Sequence, residues 1–380
     1  MKNPDWIDAK SACAVLGVKA QTLYAYVSRH QIRAKTDPND ARQSLYAQYD
    51  IDNLSRQKRR PRARAEVAQA AIRWGDPVMP TSISEVRDGT IYLRGQAIEQ
   101  CADTMSLEQV AAWLCDVQTV ICPTTRTDID GTTPFARAMK ILALDAETAV
   151  PMQGRDGQEI AQEAGRMISL ITEACLGQSS VGPIHERVGA AWGLDGTARD
   201  VLRRALVLLS DHELNPSTFA VRVCASTGGS LAAALLAGMA TLSGPKHGGV
   251  ASLANSALLA ALQGRFDVFL EDNAQHDPYV YGFGHPLYPE GDPRAVHLLR
   301  QIPRDSPSKM AVRHISERIA CAPNIDAALA VFTAQFGSPP DAATTIFSIG
   351  RAAGWVAHAI EQVQSGTIIR PRAKYQTSLE

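Results

Sequence analysis

From about Pro80 onward the chain is a run of apolar residues at helical spacing, cut repeatedly by Gly and Pro, and this pattern restricts it to packed helices. Helices are expected over 106–115, 136–144, 157–176, 197–210, 217–240, 249–262 and 343–364, after a short polar β-like opening near TSISEVRDGTIYLRGQ. Nothing repeats at a period of 20 to 50 residues, which excludes a solenoid. Aromatic residues make up only 6% while Ala, Leu and Gly are abundant, a balance suited to close helix packing rather than a β-sandwich. With 380 residues, 45% of them hydrophobic, two or three domains with real cores are expected.

The opening MKNPDWIDAK lacks the apolar centre of a signal peptide. The longest apolar stretch, Leu231 to Leu242, is shorter than the roughly 20 residues a membrane-spanning helix needs. A cytoplasmic protein with no membrane partner is therefore expected. The seven cysteines, at 13, 101, 115, 122, 175, 224 and 321, form no CxxC pair, and an odd number does not close a disulfide set; reduced packing thiols are expected. The sequence suggests neither a bound metal nor a permanent cofactor.

The net charge of −1 is unevenly spread. Residues 1–75 carry 14 Lys plus Arg against 7 Asp plus Glu, a net of +7, so the remainder carries −8. A basic head on an acidic body suits a nucleic-acid-binding module joined to something else. In that head DAKSACAVL is a helix stopped by Gly17, and VKAQTLYAYV begins another, a helix-turn-helix pattern. Lys19, Gln21, Thr22, Tyr26, Arg29 and Arg33 are the groups that would face a groove, with a small wing or hairpin and a third helix following through SLYAQYDIDNL. Arg56, Lys58, Arg59, Arg60, Arg62 and Arg64 then make a basic run, either a solvated tether or a phosphate-contacting arm. The stretch LGVKAQTLYAYVSRHQIR resembles the winged helix-turn-helix domains of the MerR and excisionase type. The resemblance implies DNA contact through residues 1–64; the alternative is a fold used only for packing or dimer contacts.

In the body, four segments place His, Arg or Asp in Gly/Pro-rich turns between helices: DHELNPSTFAVR (211–222), SGPKHGG (243–249), YGFGHPLYPEGDPRA (281–295) and APNIDAAL (322–329). With SIGRAAGWVAHAIEQ and IIRPRAKY after them, the series resembles the citrate synthase family over about residues 80–380. That resemblance implies a mostly α, two-domain helical fold: a large domain of residues 80–248 and 338–380 and a small domain of 249–337, behind a head of 1–55 and a basic linker of 56–79. It also implies condensation of an acyl-CoA co-substrate with oxaloacetate, followed by thioester hydrolysis.

Residue by residue, the family pattern makes Asp326 the base, His247 the donor to the enol and His285 the group that polarises the 2-oxo carbonyl. It makes His212, Asn215, Arg294 and Arg351 substrate-binding positions, since guanidinium forks suit a dicarboxylate. Arg370 matches an arginine donated across a homodimer interface. Two of these readings also have local physics. A helix opening just after His247 would keep its imidazole neutral. Asp326 is equally well placed to be the N-cap of the helix it precedes. Two alternatives to an acetyl-CoA enzyme stand beside it: a 2-methylcitrate synthase using propionyl-CoA, and a metabolite-sensing transcriptional regulator that keeps the pocket and has lost turnover. The front domain and the run Val250, Ala251, Ser252 after the His-Gly-Gly motif depart from the usual family pattern.

Overall fold

A computed structural model describes residues 6–28, 32–37, 40–48, 50–51, 79–125 and 130–373. Arg29, the basic run 56–64 and most of the expected third helix of the head lie outside these residues. The chain divides into two compact units, one holding the described residues up to Pro80 and the other spanning Thr81–Arg372.

In the first unit β1 (Trp6–Asp8), α1 (Ala9–Leu16), α2 (Ala20–Ser28), β2 (Ala34–Asp37) and β3 (Asp40–Ala47) surround a small core of Ala12, Leu16, Leu23, Ile32, Tyr46 and Ile51. Asp8 caps the first helix by accepting from Ser11 N at 2.7 Å, and Gly17 ends it at φ 63°. The strands form an antiparallel sheet in the order β1-β3-β2. Lys19, Gln21 and Thr22 are the expected groove-facing positions at the start of α2, whereas Tyr26 is half-buried against the core instead of facing outward. Arg33 is held by Asp50 through two hydrogen bonds of 2.8 and 2.9 Å.

The second unit opens with a three-stranded antiparallel sheet, β4 (Ser84–Arg87), β5 (Thr90–Leu93) and β6 (Gln96–Ala97). Helices follow: α3 Ile98–Thr104, α4 Leu107–Cys115, α5 Pro134–Thr148, α6 Gly157–Leu176, α7 Ile184–Ala191, α8 Gly196–Leu208, α9 Pro216–Ala225 and α10 Leu231–Leu242. After them come α11 Val250–Leu262, α12 Phe266–Asp272, α13 Pro293–Arg300, α14 Pro307–Ile319, α15 Ile325–Gln335 and α16 Ala342–Gln364. None of the helices among the described residues is long and apolar enough to cross a membrane. The expected helix 217–240 is two helices. Thr227, Gly228 and Gly229 break it, with Gly228 at φ 79°, and Ser230 caps the second half by accepting from Ala233 N. Helices α3, α7, α13 and α14 escape the apolar pattern because they are short, or rich in Arg, His and Ser on their outer faces.

The helix α16 is buried along most of its length, and two glycines let other backbone approach it. A Cβ at Gly350 would lie 2.8 Å from Leu206 O, and one at Gly354 would overlap Ser210 O. This contact seats the end of α8 and the turn beyond it directly on α16. That turn carries the first residues of the site.

Candidate active site

Leu209 to Asn215 link α8 to α9. Asp211 is fully buried and His212 nearly so, and Glu213 adopts a left-handed φ of 49° that a side chain tolerates only when other contacts fix it. Those contacts are Glu213 N donating to Asp211 Oδ2 at 3.1 Å and to Ser84 Oγ at 3.2 Å. Arg351, on α16, donates from Nε to Leu209 O at 2.7 Å. Asn215 is the N-cap of α9: its Oδ1 accepts from Ser217 N and Thr218 N. Its amide therefore serves the helix end, the role its position before Pro216 suits.

His285 sits in a loop where Gly282 (φ 98°) and Gly284 (φ 78°) precede it. The loop is laced to the segment before α15: Gly284 N donates to Ala322 O at 2.7 Å, Asn324 N to Gly282 O at 2.9 Å, and Asn324 Nδ2 to Gly284 O at 3.0 Å. Asn324 also caps α15 by accepting from Asp326 N. Asp326 is thus the second residue of the helix and not its cap, which frees its carboxyl. Asp292 completes the frame. It caps α13, accepts from Arg294 Nε at 3.0 Å and Nη2 at 2.8 Å, and accepts from Ile325 N at 3.0 Å. One carboxylate therefore fixes Arg294 relative to the helix that bears Asp326.

These elements bring the side chains together. His212 Nε2 and Tyr288 Oη are 2.6 Å apart, and the His212 ring meets His285 edge-on with centroids at 5.2 Å. Tyr288 lies 4.7 Å from the His285 ring, the guanidinium of Arg294 stands 5.7 Å from the Tyr288 ring, and Tyr279 is 5.7 Å from His285. His247 Nε2 is 2.9 Å from Ser217 Oγ, with Phe347 edge-on at 5.8 Å; Phe347 also packs against the Arg351 guanidinium at 4.9 Å.

Electrostatics sorts these groups into neutral bases, cations and one poised acid. Burial, with Arg294 beside them, holds His212 well below the usual imidazole range and His285 at about 4. Burial and Arg351 bring His247 to about 4. The expected helix follows directly, with Gly249 as its cap and Val250 as its first residue, and burial is the largest cause of the lowered value. Arg294 stays charged because Asp292 more than offsets the cost of its burial, while burial draws Arg351 down to about 10. Asp326 goes the other way. Burial dominates, Asp292 adds to it, and Arg294 and Arg351 only partly counter them, so its carboxyl titrates at about 7. Its Oδ1 is buried with no hydrogen-bond partner among the described residues.

Of the expected site residues, His212, His247, His285, Arg294, Asp326 and Arg351 converge. Arg370 does not. It is exposed, with no hydrogen bond or ion pair among the described residues of its own chain. The sequence pattern gives no notice of Tyr288, Tyr279, Ser217 or Asp211 in the site. Asp292 alone left a local signal, a capping residue two places before Arg294 in GDPRA.

One helical unit thus gathers a buried, half-ionised carboxyl, three histidines whose imidazoles burial disfavours as cations, and two buried guanidiniums. Residues 167–372 match the model of the citrate synthase C-terminal domain, and the chain belongs to the citrate synthase family. It is 34% identical over 191 residues to citrate synthase 2 of Bacillus subtilis, covering 46% of this chain and 50% of that protein. It is 38% identical over 187 residues to a citrate synthase of Haloferax volcanii, covering 45% and 48%. The chain thus spans about half the length of the curated relatives it matches. The fold is shared more widely. A citrate synthase crystal structure from Thermotoga maritima aligns at TM-score 0.65 and 23% identity, covering 80% of this chain and 96% of that one. The Thermoplasma acidophilum citrate synthase in ternary complex with carboxymethyl coenzyme A and oxaloacetate aligns at TM-score 0.64 and 22% identity, covering 80% and 95%.

Proposed function

We propose that the Thr81–Arg372 unit condenses an acyl-CoA with oxaloacetate and then hydrolyses the thioester. The observation that carries this reading is the unpartnered Asp326 carboxyl, buried and titrating at about 7 beside neutral histidines. Asp326 takes a proton from the carbon next to the thioester carbonyl. Neutral His247 donates from its Nδ1 side to the enol oxygen while Ser217 engages Nε2. The enol carbon attacks the 2-oxo carbon of oxaloacetate, whose carbonyl oxygen is polarised by His285. Arg294 and Arg351, with His212, bind the carboxylates. Water then cleaves the thioester and CoA leaves as a thiol. Closure of a small domain, residues 249–337, over a large one would exclude water from the reactive enol.

The acyl group is the open choice, because relatives named 2-methylcitrate synthase match at 28–32% identity over the same share of the chain. Purified protein is assayed for CoA thiol release with oxaloacetate and acetyl-, propionyl- and butyryl-CoA. Release with one of them supports the reading; none with any, at a protein concentration that would reveal a single turnover, rejects it. We further assign Arg370 to a site completed by a second copy of the chain. We read the first unit as a helix-turn-helix module that contacts DNA through α2, with Lys19, Gln21 and Thr22 as the contacting positions.

A further inference from the structure

The proposed chemistry leaves a second buried carboxylate without a part. Asp211 is fully buried, as is His358, whose Nε2 stands 3.3 Å from Asp211 Oδ1. The other oxygen, Oδ2, accepts from Ser84 Oγ on β4 and from Glu213 N. Gly354 makes this burial geometrically feasible, since a Cβ there would overlap Asp211 Oδ1.

Three successive residues of the turn meet α16: Leu209 O takes Arg351 Nε, Ser210 O takes Gly354 N at 2.9 Å, and Asp211 faces His358. The next residue is His212. The charged and titratable groups around Arg351 are Asp211, Arg294, Tyr288 and Asp326, with His212, His247 and Tyr279 also within electrostatic reach. Asp292 is bound to Arg294, and Asp326 is only half-ionised near neutral pH. Asp211 is therefore the anion left to balance Arg351, and among those groups it opposes the loss of the Arg351 proton most.

We propose that Asp211 is a positioning residue for both carboxylate-binding groups of this site: it fixes the turn that carries His212 through Ser84 and Glu213 N, and the same turn's Leu209 carbonyl aims Arg351 before substrate enters. The inference rests on the proposed substrate, oxaloacetate, and its test separates the two. In the full-length chain, Asp211→Asn should weaken oxaloacetate binding by calorimetry about tenfold or more, the loss of one charge-assisted contact, while leaving the KM for acyl-CoA little changed. A merely structural role would lower kcat without that split. Independently of any substrate, a thermal-unfolding cycle of Asp211→Asn against Arg351→Gln should be non-additive, the double variant losing less Tm than the two single losses combined. If Asp211→Asn fails to fold, Ser84→Ala, which keeps the carboxylate but loosens it, replaces it in both measurements and should shift both in the same direction by less. Oxaloacetate affinity unchanged in the variant, or strictly additive Tm losses, overturns the proposal. A wild-type protein that binds no oxaloacetate removes the substrate reading, and the Tm cycle then still decides whether Asp211 holds Arg351.

Discussion

The turn at Ser210–Glu213 and the first turn of the helix Ile325–Gln335 each bury an aspartate near Arg351, yet they leave the two carboxyls in opposite states. Both leave one oxygen, Oδ1, without a hydrogen bond among the described residues, but Asp211 has His358 3.3 Å from that oxygen, Arg351 within electrostatic reach and the Ser84 hydroxyl on Oδ2; together these outweigh burial and keep it ionised. Asp326 has an orphaned oxygen and a second carboxylate, Asp292, nearby, so burial wins and it is half-protonated near neutrality. Burial alone therefore predicts neither state. The charges and donors beside each carboxyl, His358, Arg351 and Ser84 for Asp211 against Asp292 for Asp326, decide which is a fixed charge and which can exchange a proton.

The largest effect that would break this contrast concerns the exchangeable proton. Asp326→Ala should lower CoA release by about 10² to 10⁴-fold, the usual contribution of a positioned general base, and leave oxaloacetate binding by calorimetry largely intact. Near-wild-type turnover would reduce Asp326 to a structural residue.

Stability sharpens the comparison through opposite pH signs. The folded-state value of Asp326, about 7, lies above the reference of 3.8, so its burial costs nothing at acid pH and costs progressively more as pH rises towards 7. Asp326→Asn should accordingly raise stability at pH 8, by a ceiling of roughly 4 kcal/mol since each tenfold change in proton affinity is worth about 1.4 kcal/mol, and change it little near pH 4. Asp211 is lowered, so its contribution is present above the reference value and lost as pH falls through the folded one. Asp211→Asn should cost stability at pH 8, on the order of 3–5 kcal/mol for a broken buried pair, and less at pH 3. Denaturant titrations of both variants at the two pH values check this; equal signs would dissolve the contrast.

The smallest effect is expected from removing the head. Every residue of the converging cluster lies within Thr81–Arg372, so a chain lacking residues 1–75 should keep its CoA release and the pH behaviour of both aspartates. It should lose the duplex-DNA binding expected of the full chain at low salt, which added salt should weaken steeply. A mobility-shift titration of the two proteins measures it, and equal, negligible binding would leave the head a packing or regulatory module.

Much of this was legible in the sequence because the site's groups come from Gly- and Pro-rich turns whose order survives without any contact being known. His212, His247, His285, Arg294 and Asp326 stand in those turns and Arg351 on the helix after them, each assigned by the resemblance to the family, and α4, α6, α11 and α16 followed from apolar spacing. What escaped depends on contacts between distant segments. The Tyr288 bond to His212 spans 76 residues and the Ser84 bond to Asp211 spans 127, and nothing in either local stretch announces them. Local physics also misled. Asp326 looked fit to cap its helix, but Asn324 two residues earlier does so. The helix end expected after His247 is there, but the burial and Arg351 that lower its value are contacts no local pattern reveals.

The pH dependence of kcat/KM for acyl-CoA, measured between pH 5 and 9 at saturating oxaloacetate, tests the central claim most directly. His247 and His285 titrate at about 4, so neither changes charge across this span. Asp326 must be ionised to take the proton, and so the rate should fall about tenfold per pH unit on the acid side of a midpoint near 7. A flat profile over the same span would contradict Asp326 as the base.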